Sequence, residues 1–200
     1  ARDKVQTKYL LPPGIDLGLG INAIGEQEGL REIEGLLKNI MNGKEMFILF
    51  FCLGPTNSEF SIPCLQITDS SYVAHSEHIL YRRGYKYFKS LGYCEDFFRF
   101  VHSAGLLENG VSRNVGQRRI YIDIKENVVF STNTQYGGNT IGLKKPGLRL
   151  AIRKASREDW LAEHMFLMGV HGPGGRVTYF SGAFPSACGK TSTAICLGET

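Results

Sequence analysis

Thr178-Tyr-Phe-Ser-Gly-Ala-Phe-Pro-Ser-Ala-Cys-Gly-Lys-Thr-Ser-Thr-Ala-Ile195 decides how the rest of the chain is read. Val177 to Phe184 is apolar and β-prone, Pro185 to Gly189 has the composition of a tight turn, and a helix-compatible segment starts at Lys190. Strand, turn and helix in that order suit a phosphate-binding loop. Backbone N–H groups of the turn and of the helix start point at an anion, and the helix dipole favours negative charge there. Lys190 can reach outer phosphates, and the Thr191 hydroxyl stands where it can ligate a nucleotide's magnesium. The general pattern has a glycine where this chain has Phe184, so Gly189-Lys190-Thr191 is a partial match. An ordinary strand-to-helix turn can carry the same three residues; the flanking strand and the small Ser186, Ala187 and Cys188 favour the phosphate loop.

The 200 residues suit one large domain or one and a half smaller ones. An apolar content of 42%, with 11% aromatics, is ample for a core and argues against disorder. The net charge of +4 suits an anionic ligand, but with Lys and Arg scattered it is too weak to argue for nucleic acid. The five cysteines (Cys52, Cys64, Cys94, Cys188 and Cys196) form no CxxC pair, which reads as a reducing, cytoplasmic setting. The charged N-terminus followed by Pro12-Pro13-Gly14 does not resemble a signal peptide. No apolar run approaches the roughly 18–20 residues of a membrane span, so neither membrane nor nucleic acid is an expected partner. The sequence stops ten residues after Lys190, short of the further parallel strands that a nucleotide-binding sheet needs. The expectation is a portion of a longer polypeptide.

Glu26 to Met41 sets Leu30, Ile33 and Leu37 at helical spacing before Asn42-Gly43, which predicts a helix. The apolar run within Lys44 to Gly54 predicts a central strand buried on both faces. Phe60 to Thr68 reads as a strand; Tyr72 to Tyr81 reads as helix or strand, with helix favoured because Val73, Ile79 and Leu80 fit alternation poorly. Glu95 to Ala104, with Phe97, Phe98 and Val101, reads as a helix that stops at Gly105. Arg118 to Ile124 and Asn127 to Thr132 read as a hairpin turning at Lys125-Glu126-Asn127. Leu148 to Asp159 reads as a helix, Leu161 to Val170 as a strand with His164 in its middle, and His171 to Gly175 as a hairpin turn. Composition shifts near Thr134 from aromatic-rich mixed elements to loops of the kind that hold ligands. The expected fold class is α/β: a mixed α/β N-terminal substrate domain over 1–133, followed over 134–200 by the start of a P-loop-containing nucleotide-binding domain.

Tyr136-Gly137-Gly138-Asn139, followed by Lys144-Lys145, is a second ligand-type stretch. Adjacent glycines let backbone approach a ligand closely, and paired lysines can neutralise an anion or, when one is desolvated, present a neutral nitrogen donor. A flexible surface loop is the plainer alternative. A lone histidine on an apolar strand, His164, is either a core residue with a satisfied hydrogen bond or a metal ligand. Cys188, beside Lys190 and a helix N-terminus, stands where thiols become reactive, whereas the other four cysteines read as packing.

These motifs together resemble GTP-dependent phosphoenolpyruvate carboxykinase. Ala183 to Thr191 is similar to that family's phosphate loop, including the missing first glycine. Tyr136 to Asn139 with Lys144-Lys145 resembles its substrate and metal loop, and Trp160-Leu-Ala-Glu-His-Met165 the segment with its metal histidine. Gly54-Pro55 with Ser58 to Ile62, Leu65 to Val73, and Ala1-Arg2 with Thr7 fit the same family, so the resemblance spans almost the whole chain. It implies that Arg2, Tyr136, Gly137, Gly138 and Ser186 hold substrate and that Lys145 and His164 ligate a catalytic Mn2+. It further implies that Ala187, Cys188, Gly189, Lys190, Thr191 and Ser192 cradle the phosphates of GTP, which Mg2+ or Mn2+ accompanies. Cys188 corresponds to the family's reactive cysteine, and Cys188 and Lys190 are the implied catalytic residues. Ser192 departs from the family's asparagine, and the third metal ligand, an aspartate, and the guanine pocket are expected beyond Thr200.

The implied reaction converts GTP and oxaloacetate reversibly to GDP, phosphoenolpyruvate and CO2. Decarboxylation leaves an enolate whose oxygen needs a cation, and nitrogen ligands favour manganese, with the Lys145 amine binding unprotonated. Phosphoryl transfer follows, stabilised by Lys190 and a second metal at Thr191, while Arg2 grips a carboxylate. Two alternatives stand beside this: a non-catalytic P-loop nucleotide-binding module and an ATP-using carboxykinase. The first leaves Tyr136-Gly137-Gly138, Lys144-Lys145 and His164 without a role. The 200-residue chain by itself is expected to be inactive.

Overall fold

The computed structural model describes residues 6–18, 20–93, 95–135, 144–185 and 188–196, apart from the side chains at 6, 191, 195 and 196. The chain divides into two compact units, Ala1–Leu150 and Ala151–Thr200.

The first unit is a sheet with helices between its strands. In chain order it has β1 (Gln6–Leu11), β2 (Ala23–Gly25), α1 (Glu26–Leu37), β3 (Phe47–Leu53), β4 (Ile62–Thr68), α2 (Ser71–Leu80), β5 (Arg82–Arg83), α3 (Tyr85–Leu91) and β6 (Phe98–Ser103). A short ribbon, β7 (Leu107–Glu108) and β8 (Val111–Ser112), precedes β9 (Arg119–Asp123), β10 (Val128–Thr132) and the first half of α4 (Lys144–Arg157), whose residues from Ala151 on belong to the second unit. Eight strands lie in the order β2-β1-β9-β10-β6-β4-β3-β5. β10, β6 and β4 run parallel to one another, as do β2, β1 and β9, while β9 and β10 are antiparallel. The mixed α/β character read from the sequence is what this unit has.

Local chemistry explains most of the boundaries. Glu26 and Glu28 stand in the first turn of α1, where the helix dipole favours acids. The helix stops at Leu37 rather than Met41 because Asn39 takes a left-handed conformation (φ 59°) just past the end. Ile33 then packs with Leu10 and Tyr121, flanked by Ile24, Leu36, Leu37 and Phe130. Ser70 caps α2 by accepting from the Val73 N–H (3.3 Å). The hairpin between β9 and β10 turns where expected: Asp123 Oδ1 accepts from the N–H groups of Lys125 and Glu126, both 2.9 Å, and Asn127 has φ 53°. α4 starts four residues earlier than its apolar pattern suggests, at Lys144. Pro146 lies in its first turn, where its missing N–H costs nothing.

Two readings fail. Phe98–Ser103, expected within a helix, is strand β6, and its buried residues alternate as Phe98, Phe100 and His102. β3, expected as a central strand covered on both faces, is next to the sheet edge. Its outer neighbour β5 pairs only with Phe51 and Cys52, and Ile48 is 51% exposed.

The second unit holds β11 (Met165–His171) and β12 (Val177–Ala183), an antiparallel hairpin, followed by α5 (Lys190–Cys196). His164 therefore precedes its strand by one residue instead of standing mid-strand. Among the described residues no helix is long and apolar enough to cross a membrane.

Candidate active site

The described residues on either side of positions 186 and 187 follow the strand-then-helix order that the sequence suggests. β12 delivers Phe184 and Pro185, and the Cys188 N–H donates back to the Pro185 carbonyl (3.3 Å). Gly189 has φ 90°, a left-handed conformation that a side chain would strain. Its carbonyl accepts from the N–H (2.9 Å) and the hydroxyl (3.0 Å) of Thr193, which starts the helix ladder. Lys190 is buried, although lysine rarely is. Its ammonium donates to the carbonyls of Phe184 and Pro185, the latter at 3.1 Å, and lies 5.3 Å from the centroid of the Phe184 ring. A cation held inside a turn by carbonyl dipoles, at the N-terminus of a helix, is available to an entering anion. Cys188 is exposed and in no disulfide, and Ser192 is exposed on the first turn of α5.

His164 lies at the same end of the hairpin. Met165 pairs with Ala183, so His164 and Phe184, the residue that opens the phosphate turn, each lie one residue beyond the last pair of the hairpin. It is half-buried, and its N–H donates to Glu163 Oε2 (3.3 Å). The preceding segment is tied down at Glu158, which accepts from Lys154 Nζ (2.6 Å) and from the Trp160 indole (2.8 Å). Those two hydrogen bonds hold its carboxyl below the usual range.

Lys145 belongs to the first unit. It is exposed on the first turn of α4, while Pro146 and Gly147 behind it are buried. The structure thus groups Cys188, Gly189, Lys190, Ser192 and His164 within one unit. Arg2, Tyr136, Gly137, Gly138, Ser186 and Ala187 lie outside the described residues, as does the side chain of Thr191. Among the described residues no three His, Cys, Asp or Glu side chains gather as a metal site. The two expected ligands present, an amine and an imidazole, are nitrogen donors of the kind manganese accepts.

A buried polar cluster at the carboxyl ends of β4, β6 and β10 escaped the sequence reading. Asp69 accepts from Lys44 Nζ (2.7 Å), Ser103 Oγ (2.6 Å) and the Ala104 N–H (2.8 Å). Desolvation pushes its pKa up, but those three donors together outweigh it and hold the carboxyl below the usual range. His102 sits between Thr68 Oγ1 and the Thr134 carbonyl, each 2.7 Å away. Burial drives its pKa down to about 4, so the ring is neutral at neutral pH. A cavity of about 120 Å³ adjoins Thr134, lined by Val111, Ser112, Val115, Arg118 and Gln135. The signal was present: Thr68-Asp69, His102-Ser103 and Ser131 to Thr134 all end apolar strands in polar residues. In parallel sheets ligands gather at carboxyl ends.

The sequence matches two family models. Residues 1–156 match the phosphoenolpyruvate carboxykinase N-terminal domain, and residues 160–199 the phosphoenolpyruvate carboxykinase C-terminal P-loop domain. The chain belongs to the phosphoenolpyruvate carboxykinase family. Among curated carboxykinases, the "Phosphoenolpyruvate carboxykinase [GTP]" of Pyrococcus horikoshii is 61% identical over 196 residues, which is 98% of this chain and 31% of that protein. That of Thermococcus sibiricus is 58% identical over 200 residues, all of this chain and 32% of the relative. That of Saccharolobus solfataricus is 47% identical over 175 residues, 88% of this chain and 27% of the relative. The chain spans about a third of the length of these carboxykinases.

Proposed function

We propose that these residues supply the substrate-binding part and the phosphate turn of a GTP-dependent phosphoenolpyruvate carboxykinase. The reaction takes GTP and oxaloacetate to GDP, phosphoenolpyruvate and CO2. The observation that carries the reading is the buried Lys190 ammonium in a turn at the same end of the β11–β12 hairpin as His164. Arg2, Tyr136, Gly137, Gly138 and Ser186 hold the substrate, and residues 187 to 192 take the phosphates. Residues 134–200 are the start of the nucleotide- and metal-binding domain, and 1–133 are part of the substrate-binding domain. Lys145 and His164 are two ligands of a divalent cation, Mn2+, and Thr191 meets a second, Mg2+ or Mn2+, that arrives with GTP. The first cation supplies a positive charge for an enolate oxygen.

The C–C bond to the departing CO2 breaks, and its electron pair becomes the enolate. The enolate oxygen then attacks the γ-phosphorus while the bond to the GDP oxygen breaks. Lys190 faces the charge that develops on the transferred group, and Arg2 orients the remaining carboxylate. The setting is cytoplasmic, with no membrane or nucleic-acid partner.

The test is Mn2+-dependent oxaloacetate decarboxylation by the full-length protein with GTP. Lys190→Met should lower kcat by about 10²–10³-fold. His164→Ala should abolish turnover and leave GTP binding intact. Turnover unchanged in His164→Ala removes the metal site, and GTP binding without any turnover in wild type leaves a nucleotide-binding module.

A further inference from the structure

We propose that His102 is a positioning residue for the substrate side of the site: it fixes the point at which β10 leaves the sheet, through the carbonyl of Thr134. This rests on the carboxykinase reading above, which assigns substrate to Tyr136, two residues further on.

Thr134 has every polar group occupied. Its N–H donates to the Ser103 carbonyl (3.3 Å), its hydroxyl pairs with Ser131 Oγ (2.6 Å), and its carbonyl accepts from His102 Nε2 (2.7 Å). It is 1% exposed. A carbonyl can only accept, so Nε2 carries the proton. Nδ1 of the neutral ring is then bare and accepts the Thr68 hydroxyl, whose oxygen accepts the Ser70 N–H (3.1 Å). The proton order from Ser70 to Thr134 has one solution, and it runs from the end of β4 across β6 to the end of β10.

The neighbouring position is fixed as firmly. Ser103 Oγ donates to Asp69 and accepts the Gly105 N–H (3.0 Å). Thr68 and His102 are directly opposite in the β4–β6 register, and Thr132 is opposite Ser103 in β10–β6. A core histidine needs only one satisfied bond. This one spans three parallel strands and ends on the residue from which the chain departs toward Tyr136. Holding reacting groups to within an ångström is worth up to about 10²-fold in rate.

The test compares two amides in the full-length protein. Gln reaches the Nε2 position and keeps a donor to Thr134, whereas Asn reaches only Nδ1 and keeps Thr68. His102→Asn should raise KM for oxaloacetate and phosphoenolpyruvate about 10–100-fold and leave KM for GTP within about twofold. His102→Gln should stay within about threefold of wild type in every constant. Thr68→Val, which deletes the hydroxyl that pairs with Nδ1, should move the same KM in the same direction by a smaller factor, and it serves if His102→Asn does not fold. Equal behaviour of Asn and Gln, an unchanged Thr68→Val, or a KM for GTP that moves in step would overturn the positioning role. A wild-type protein without oxaloacetate turnover would instead strike the functional reading, and this proposal with it.

Discussion

Glu77 offers the sharpest test of how this sheet is held together. α2 turns Val73 and Glu77, one helical turn apart, toward the sheet, and Glu77 is 4% exposed. Neither carboxyl oxygen has a hydrogen-bond partner. Desolvation alone raises its pKa from 4.5 to about 8. The other titratable groups facing it, the Tyr81 phenol and the Cys64 thiol, are themselves pushed up, chiefly by burial, and Arg82 lines the small cavity beside them. Between pH 4.5 and 8 the unfolded chain has lost this proton and the folded chain keeps it. Stability therefore falls as pH rises through that window. At about 1.4 kcal/mol per pH unit, the loss between pH 5 and pH 8 is about 4 kcal/mol, a ceiling that any access of water lowers. Glu77→Met has a similar volume and no proton to lose. Urea unfolding of wild type and variant at pH 5 and pH 8 should show midpoints diverging by about 2 M more at the higher pH, for a slope of about 2 kcal/mol/M. Curves that stay parallel between the two pH values would refute the reasoning.

Three further outcomes follow from other sites. Lys44→Met leaves the Asp69 carboxylate buried without its cation and should cost about 3 kcal/mol at neutral pH by chemical denaturation. Because Asp69 titrates below its ordinary 3.8 in the fold, the stability it contributes is complete above that value and lost as pH falls further; the variant should unfold at higher pH on acid titration. Gly105→Ala puts a methyl group on a residue at φ 72° and against the Asn133 carboxamide oxygen, so about 2–4 kcal/mol should be lost, read as a drop in Tm. The exposed Cys188 should be alkylated by iodoacetamide, and GTP at ten times its Kd should slow this about tenfold. An unaltered rate would remove Cys188 from the nucleotide turn.

Some elements were legible because local chemistry alone decides them. α1 and the β9–β10 hairpin each announce themselves through turn residues or an apolar period within about ten residues, whereas α2 was favoured over a strand only because its apolar residues fit alternation poorly. β6 was hidden by its own histidine. Phe98, Phe100 and His102 form the buried alternation, but a histidine does not count as apolar, so Phe97, Phe98 and Val101 looked like the stronger, helical, pattern. β3 misled in the opposite sense: seven apolar residues suggest cover on both sides, yet only the two that pair with β5 have a neighbour on the outer edge. The polar strand ends of the Asp69 cluster are visible locally, but their meeting is not. Asp69 and Ser103, or Thr68 and His102, are 34 residues apart, and only the parallel register brings them to one end of the sheet.

That cluster holds two titratable groups in opposite states, and the arrangement shows why Lys44 is needed. His102 is neutral chiefly because it is buried; the Asp69 charge pulls its pKa up and the Lys44 charge pushes it down. Lys44 sits on Asp69 at 2.7 Å and also donates to the Gly105 carbonyl at 2.7 Å, so it compensates the buried carboxylate and offsets part of the pull of that charge on the ring. A protonated His102 would carry N–H on both nitrogens, and Thr68 could no longer donate to Nδ1. Thr68 Oγ1 would then accept from both Nδ1–H and the Ser70 N–H, and its own hydroxyl proton would need another acceptor. Lys44 lies in the loop after α1, far in sequence from either strand end, yet it ties Asp69 to the Gly105 carbonyl, just past the ends of β4 and β6.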